Sequence, residues 1–279
     1  MFRRLLIVLV TALAALAVVP AAADPQPGYT GIVRLDNCSG SLVRLPGSSG
    51  TDRGLVLTNG HCESEGMPGP GEVVLDRPSH RSMTLLGPDG RNLGTLYATK
   101  IVYGTMTDTD VTLYQLDSSY AQIERRTGGT PLTLAASPAD VGTPVNVVSG
   151  YFTRTWSCRI ERVVYSLREA DWTWKDAIRY TPECDTIHGT SGSPIVDATT
   201  GQVVGVNNTG NDDGHSCTLD NPCEVDENGA ITVLPGRSYG QQTYRLPGCL
   251  TSGGEPDLDQ PGCMLPKPHG VTLPIPIPA

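Results

Sequence analysis

Short apolar and alternating runs, separated by turn-forming residues, set the strongest limit on how this sequence can fold. Helical periodicity is nearly absent, and the chain contains 32 glycines and 23 prolines, which interrupt long helices. Such a pattern is typical of an all-β barrel or sandwich. Two brief helices are predicted, near residues 138–141 and 239–244. The predicted strands comprise residues 31–34, 41–44, 54–58, 72–75, 92–98, 111–116, 144–148, 159–166, 194–196 and 202–206.

Residues 1–23 predict a secretory signal peptide. Two arginines precede an apolar stretch over residues 5–19, and a run of alanines ends at Ala23. A basic start, an apolar centre and small residues at the end are typical of such signals. We expect cleavage after Ala23, which leaves Asp24 first. A retained anchor is the alternative, but the run is shorter than the roughly 20 residues that a membrane-spanning helix needs. The expected product is secreted, with no membrane association once the signal is removed.

The eight cysteines agree with export. Their number is even, and all of them follow the signal, which predicts disulfide bonds in an oxidising compartment. Sequential pairing is the simplest of several possible connectivities. A zinc site is the alternative, but the sequence has no C-x-x-C pair, so we expect no metal. The sequential pairs are Cys38 with Cys62, Cys158 with Cys184, Cys217 with Cys223, and Cys249 with Cys263.

The charge of the chain limits its partners. The formal net charge is −9, and it becomes more negative when the two signal arginines leave. No cluster of basic residues is present, which argues against a nucleic-acid partner. The part after the signal is long enough for one large or two small packed units.

Residues 189–194 read Gly-Thr-Ser-Gly-Ser-Pro and give the clearest signal of chemistry. The glycines that flank Ser191 permit an unusual turn in which the N–H groups of Gly189 and Ser191 converge on one point. Converging donors form an oxyanion hole for acyl transfer. The alternatives are an ordinary turn and the α/β-hydrolase elbow, G-x-S-x-G followed by a helix. The elbow fails, because Ser193 stands at the fifth position and a predicted hairpin follows.

A histidine and an aspartate lie where predicted strands end or begin. His61 follows the strand 54–58, and Asp110 immediately precedes the strand 111–116. A serine hydroxyl needs an adjacent base to attack at neutral pH, and a buried carboxylate orients that base. Asp108 is the rival to Asp110. The remaining histidines, interpreted as surface residues, are His80, His188, His215 and His269.

The order His–Asp–Ser is that of chymotrypsin-type triads and differs from the orders in subtilisins and α/β-hydrolases. About residues 30–210 resemble the trypsin/chymotrypsin family of serine peptidases. Residues 58–62, Thr-Asn-Gly-His-Cys, are similar to its T-A-A-H-C, residues 110–113 to its D-I-A-L, and residues 189–194 to its G-D-S-G-G-P. Within it, residues 189–210 are closer to bacterial glutamyl endopeptidase-like and flaviviral variants. Residues 238–244 and the final cysteine pair resemble exported actinobacterial members.

This resemblance implies two antiparallel six-stranded β-barrels with the catalytic groups in the cleft between them. The first barrel would comprise residues 24–127, with His61 and Asp110, and the second residues 128–252, with Ser191. A disulfide-stapled loop, residues 211–229, is inserted in the second barrel. A Pro/Gly-rich tail, residues 253–279, either wraps the surface or is disordered. The implied protein is a monomeric serine endopeptidase that acts on polypeptides and needs no cofactor.

The sequence departs from the family pattern at several positions. Thr190 replaces the aspartate that, in trypsin, pairs with a freshly cut N-terminus, and no matching activation site precedes Ile32. We therefore expect no trypsin-style activation by cleavage. Asn207 and Asn208 stand in the segment that lines the specificity pocket, where the family usually has Ser-Trp-Gly. The stapled loop, residues 211–229, lies where it can overhang that pocket.

Substrate preference is the least determined property. Asp185 lies six residues before Ser191, where trypsin carries the aspartate at the base of its pocket. A buried carboxylate there would favour arginine or lysine, although bacterial relatives with similar residues do not all direct this aspartate at substrate. Two other functions stay open: a non-catalytic binding module on the same fold, and an esterase.

Overall fold

Strands make up nearly all of the regular structure in residues 28–268, the part of the chain that the computed structural model describes. The predicted signal peptide and the end of the predicted tail lie outside this range. In the N-terminal half, the strands are β1 (Ile32–Arg34), β2 (Ser39–Arg44), β3 (Arg53–Thr58), β4 (Val73–Pro78), β5 (Ser82–Leu86), β6 (Asn92–Thr105), β7 (Val111–Ser119) and β8 (Leu132–Thr133). In the C-terminal half, they are β9 (Pro144–Ser149), β10 (Arg154–Glu169), β11 (Trp172–Tyr180), β12 (Pro194–Asp197), β13 (Val203–Gly210), β14 (Cys223–Val225), β15 (Ile231–Thr232) and β16 (Ser238–Gln242).

In each half of the chain, six of the strands pair in antiparallel fashion and close into a ring. The first ring runs β1–β2–β3–β7–β6–β5 and returns to β1, with β4 added to β6 and β8 added in parallel to β2. The second runs β9–β10–β11–β16–β13–β12 and returns to β9, with β14 and β15 extending from β10. The predicted fold, all-β with two six-stranded barrels, is confirmed. Closure leaves few free strand edges, because each ring strand has a partner on both sides.

The three largest apolar clusters of the interior show how the barrels are packed. One apolar cluster fills the first barrel and includes Val33, Leu85 and Tyr114. A second fills the other barrel around Val147 and Ile178. A third joins side chains from both barrels and from the C-terminal segment, and it includes Leu57, Val206 and Leu265. The barrels are therefore held together by shared apolar burial, which fixes the cleft between them.

Both predicted helices are wrong. Residues 239–244 begin in β16, which pairs with β11 on one side and β13 on the other, so the pairing overrides any local helical preference. Residues 138–141 form an irregular bend before β9. The one α-helix of the described residues is α1 (Tyr120–Thr127), which the sequence analysis missed. A capping box between Ser119 and Gln122 starts it, and Gly128 ends it in the left-handed conformation.

All eight cysteines form disulfides, and the pairs are the four sequential ones. Described residues of the predicted tail, 253–268, pack on the first barrel. There Leu265 is buried, and Tyr103 donates a hydrogen bond to the carbonyl oxygen of Pro266 at 3.0 Å. The tail therefore wraps the surface over this range, which was one of the two expected outcomes. No helix among the described residues has the length and hydropathy to span a membrane.

Candidate active site

His61 lies on a short 3-10 turn, Gly60–Cys62, directly after β3. The disulfide from Cys62 to Cys38 ties this turn to the chain just before β2. The Nδ1 atom of His61 lies 2.7 Å from Oδ2 of Asp110. One ring nitrogen is thereby fixed by a carboxylate, which leaves Nε2 as the nitrogen available for proton transfer.

Asp110 is fully buried immediately before β7. Its Oδ1 accepts hydrogen bonds from the backbone N–H of Gly60 at 2.6 Å and of His61 at 3.2 Å. Position 60 favours glycine, because a Cβ there would lie 2.5 Å from the backbone carbonyl oxygen of Thr105 and 3.0 Å from Oδ1 of Asp110. The rival, Asp108, instead pairs with Lys175 at 2.8 Å on the surface. Of the two aspartates, the structure brings only Asp110 to the histidine.

Ser191 lies in the loop between β11 and β12. Its Oγ donates to the backbone carbonyl of Asn208 at 3.2 Å, and its own carbonyl accepts from Ser39 at 2.8 Å. Ser191 and His61 line the same cavity, but within residues 28–268 no hydrogen bond joins the hydroxyl to the imidazole. Catalytic hydrogen bonds are often loose without substrate and tighten when it binds.

Two amides beside this hydroxyl have no acceptor. Neither Gly189 nor Ser191 donates its N–H to another group in the described part of the chain. Gly189 has φ +87°, and a Cβ there would lie 3.2 Å from ring carbons of Phe152. Neither donor is therefore occupied by another group of the described chain, which is one condition for the predicted oxyanion hole.

The cavity that contains His61 and Ser191 has a volume of about 350 Å³. It lies between the barrels, with walls from the β10–β11 hairpin, the segment Asn207–Gly210 and the stapled loop. This volume is within the usual range for small-ligand sites. The cavity is thus the natural place for the part of a substrate that reaches the reactive groups.

Residues 38–206, more than half of the 279 residues, match the family described as a trypsin-like peptidase domain. The chain belongs to the trypsin-like peptidase family. This match confirms the resemblance to trypsin-like serine proteases that the three motifs indicated. The narrower resemblance to actinobacterial members stays a prediction. No curated protein sequence matches the chain.

Solved protease structures are similar to this trypsin-like peptidase at low identity. The active form of the Rv3671c protease from M. tuberculosis is 17% identical, covering 92% of this chain and 97% of that one, with a TM-score of 0.46. The MamO protease domain from Magnetospirillum magneticum is 14% identical, covering 77% and 93%, with a TM-score of 0.45. A Glu endopeptidase in complex with MPD is 18% identical, covering 77% and 85%, with a TM-score of 0.43.

The inner wall of the cavity of this peptidase is polar but neutral. Asn207 is 2% exposed, donates to Thr190 Oγ1 at 3.1 Å, and accepts from Tyr180 at 3.2 Å and Thr186 at 3.4 Å. Thr190, which stands where trypsin has its activation aspartate, is therefore held by neutral hydrogen bonds within the loop. The amide of Asn207 is uncharged, and both of its polar atoms already have hydrogen-bond partners. Asn207 therefore offers no charge that could pair with a substrate.

Asp185 does not lie where the comparison with trypsin placed it. Its side chain is exposed, and it is not among the residues that line the cavity. The buried disulfide between Cys158 and Cys184 anchors the preceding residue, and Thr186 is the next residue to face the cavity. The prediction that Asp185 is a buried carboxylate at the base of the pocket is therefore wrong, because its side chain is exposed to solvent. Asn207 and Asn208 do line the cavity.

A buried asparagine links the two halves of the peptidase site. Asn59 is fully buried; its Nδ2 donates to the carbonyl of Asp110 at 2.8 Å, and its Oδ1 accepts from the N–H of Gly192 at 2.5 Å. One side chain thus contacts the residue that orients His61 and the residue that follows Ser191. Gly192 has φ +75°, and a Cβ there would collide with Ser39 and Thr58. These contacts fix the loop that carries Ser191 against the first barrel.

Replacing Asn59 with alanine should lower kcat by about tenfold or more with little change in KM, because the loop loses its register against Asp110. The free energy of unfolding should fall by about 1–3 kcal/mol, since buried polar groups lose partners. The backbone of Asn59 is extended, with φ −83° and ψ 160°, and alanine also adopts this conformation. Steady-state kinetics and denaturant unfolding measure the two effects. An unchanged kcat in the folded variant would show that the link has no positioning role.

Two residues of this site, Asn59 and Glu169, are not among those that the sequence predicted. The sequence does contain a signal for Asn59, because asparagine at this position differs from the alanine of the family motif T-A-A-H-C. Glu169, which lines the cavity at the end of β10, had no local signal. It comes to the site only through the β10–β11 hairpin, whose second strand was not predicted.

Proposed function

We propose that this serine protease is an endopeptidase that hydrolyses peptide bonds through His61, Asp110 and Ser191. The observation that carries the proposal is the 2.7 Å contact between His61 and a fully buried Asp110, in a cavity that Ser191 also lines. A base, its orienting carboxylate and a nucleophile are the three parts that acyl transfer requires.

The proposed reaction has two stages. His61 Nε2 takes the proton of Ser191 as Oγ attacks the peptide carbonyl, and the protonated imidazole then delivers it to the leaving amine. The free N–H groups of Gly189 and Ser191 stabilise the oxyanion. A water molecule, activated by the same histidine, attacks the acyl-enzyme and releases the acid. Side chains, backbone amides and water suffice for every step.

Peptides blocked at both ends and internally quenched test this proposal directly. We expect cleavage of such peptides, and covalent labelling by a serine-directed phosphonate that maps to Ser191. Cleavage inside a blocked peptide distinguishes an endopeptidase from an exopeptidase. Turnover of esters alone would indicate an esterase, and the absence of both turnover and labelling would indicate a non-catalytic homologue.

Activity should fall as the pH decreases through a pKa that lies above the ordinary histidine value of 6.5. Burial acts to lower the pKa of His61, but the charge and hydrogen bond of Asp110, with smaller contributions from Glu169 and Asp220, outweigh it and raise the pKa. The neutral imidazole is the base, so protonation removes activity on the acid side. The profile of kcat/KM against pH measures this. An acid limb centred below 6.5 would contradict it.

The proposed setting is extracellular. The signal-like residues 1–23 and four disulfides support export, because disulfides persist in oxidising compartments. The proposed partner is a polypeptide substrate. The domain boundaries at residues 127 and 252 and the monomeric state remain predictions; size-exclusion chromatography with light scattering tests the latter.

A further inference from the structure

One wall of the cavity is acidic. Glu169, Asp212 and Asp220 all line it, and no lysine or arginine does so in the part of the chain that the structure describes. The contrast with the inner wall is clear, because Asn207 there is neutral and fully hydrogen-bonded. A ligand in this cavity therefore meets carboxylates on one side only.

Glu169 has an unsatisfied carboxylate oxygen. The residue is 5% exposed; Oε1 accepts the backbone N–H of Asp220 at 2.9 Å, and Oε2 has no hydrogen-bond partner among residues 28–268. A buried oxygen without a donor is costly and unusual. Burial also raises the pKa of Glu169, while the side chain of Thr209, which lines the same cavity, and the N–H of Asp220 act in the opposite direction. No lysine or arginine among the described residues that line the cavity neutralises this carboxylate.

A second unsatisfied side chain lies on the same cavity. Asn208 is 4% exposed, and neither its Oδ1 nor its Nδ2 has a partner in the described structure. Its backbone carbonyl is the group to which Ser191 donates, so this residue adjoins the nucleophile. Two buried acceptor oxygens, Glu169 Oε2 and Asn208 Oδ1, thus belong to residues that line one cavity, and neither has a hydrogen-bond partner in the described structure. An ammonium or guanidinium group has several N–H donors and a positive charge, and it can donate to both of these oxygens.

Neither His188 nor Arg168 supplies that cation. His188 lies 2.6 Å from Asp212 and 4.0 Å from Asp220, and its hydrogen bond with Asp212 raises its pKa. It therefore compensates the exposed carboxylates rather than Glu169. Arg168, the neighbour of Glu169 in the chain, is exposed and directs its guanidinium to Cys217 Sγ at 3.3 Å.

The apolar part of the cavity suits the stem of a long basic side chain. Trp172 and Trp174 line it from the hairpin, and Met67 and Met106 line it from the first barrel. Alkyl stems pack on such surfaces while the charged end binds elsewhere. Indole rings also attract cations.

We propose that Glu169, with the Asn208 side chain, binds a lysine or arginine side chain of the substrate and makes cleavage selective for basic residues near the scissile bond. The inference rests on the proposed function. It assigns the selectivity to the end of β10, on the acidic wall, and not to Asp185.

The test compares Glu169→Gln with two matched carboxylate variants. Asp171→Asn removes an exposed charge from the same hairpin, and Asp185→Asn removes the carboxylate of the alternative assignment. Quenched peptides carry arginine, lysine, norleucine or glutamate at each position around the cleavage site. We expect the ratio of kcat/KM for arginine over norleucine to fall about 10- to 100-fold in Glu169→Gln, because a charge-assisted hydrogen bond is lost. It should be unchanged in Asp171→Asn and Asp185→Asn.

A binding assay separates this inference from the proposed function. Argininamide, used as a cation probe, should change the tryptophan fluorescence of the wild-type protein, because Trp172 and Trp174 line the cavity. Glu169→Gln should weaken that binding by a similar factor. A protein that binds argininamide in this way but cleaves nothing would refute only the proposed function. Active protein with no preference for basic residues, or a preference lost in Asp185→Asn instead, would overturn the inference.

Discussion

Replacing Ser191 with alanine will abolish peptide hydrolysis and phosphonate labelling while leaving the fold intact. The variant removes the nucleophile, so we expect kcat to fall by about 10⁶-fold, with the remaining activity due to the amides and to substrate binding. The Ser191 hydroxyl makes one hydrogen bond, to a backbone carbonyl, and is partly exposed. Its loss should therefore change the free energy of unfolding by no more than about 1 kcal/mol. Kinetics, mass spectrometry of the labelled protein and denaturant unfolding measure these three results.

Ser193→Ala is the matched control for this variant. Ser193 lies two residues further along the same loop, is fully buried, and its hydroxyl has no partner among the described residues. Removing that hydroxyl leaves no group unpaired, so labelling and most activity should persist. A Ser191→Ala protein that retained full activity would remove Ser191 from the mechanism. If Ser193→Ala then lost all activity, the nucleophile would be Ser193.

The parts of the fold that the sequence predicted are those encoded by local patterns. The strands near His61 and Ser191 have compact apolar runs, and their motifs specify a turn and a loop through a few adjacent residues. The four cysteine pairs were also predicted correctly, because each disulfide joins two segments that are close in the sequence. Such features need no knowledge of distant partners.

Features that depend on distant pairing were missed. Strand β16 begins at Ser238 with a stretch rich in glycine and glutamine, and it exists because β11 and β13 offer hydrogen bonds on both sides. Strand β11 contains Lys175 and Asp176, which conceal its apolar alternation. The acidic wall was missed for the same reason, since Glu169 reaches the cavity through the β10–β11 hairpin. Exposure of Asp185 likewise depends on how a disulfide anchors the preceding residue, which sequence position does not reveal.

Replacing Asp110 with asparagine should lower kcat by about 10⁴-fold with the backbone almost unchanged. The carboxylate accepts three hydrogen bonds, from the Gly60 amide and from the amide and Nδ1 of His61. An asparagine of the same shape has one acceptor oxygen and an NH₂ group, so it cannot accept all three. If the NH₂ faces Nδ1, the imidazole must carry its proton on Nε2, which then cannot take the proton of Ser191.

The pH profile of the same variant separates this explanation from simple destabilisation. The Asp110 charge and hydrogen bond raise the pKa of His61 against the effect of burial, so their loss should move the acid limb of kcat/KM to lower pH. Asp108→Asn is the control, because that carboxylate pairs with Lys175 at the surface, and both the rate and the acid limb should be retained. A larger loss in Asp108→Asn than in Asp110→Asn would reverse the assignment of the orienting carboxylate. An Asp110→Asn protein with reduced rate but an unmoved acid limb would show that Asp110 acts through packing, and not through the charge state of the base.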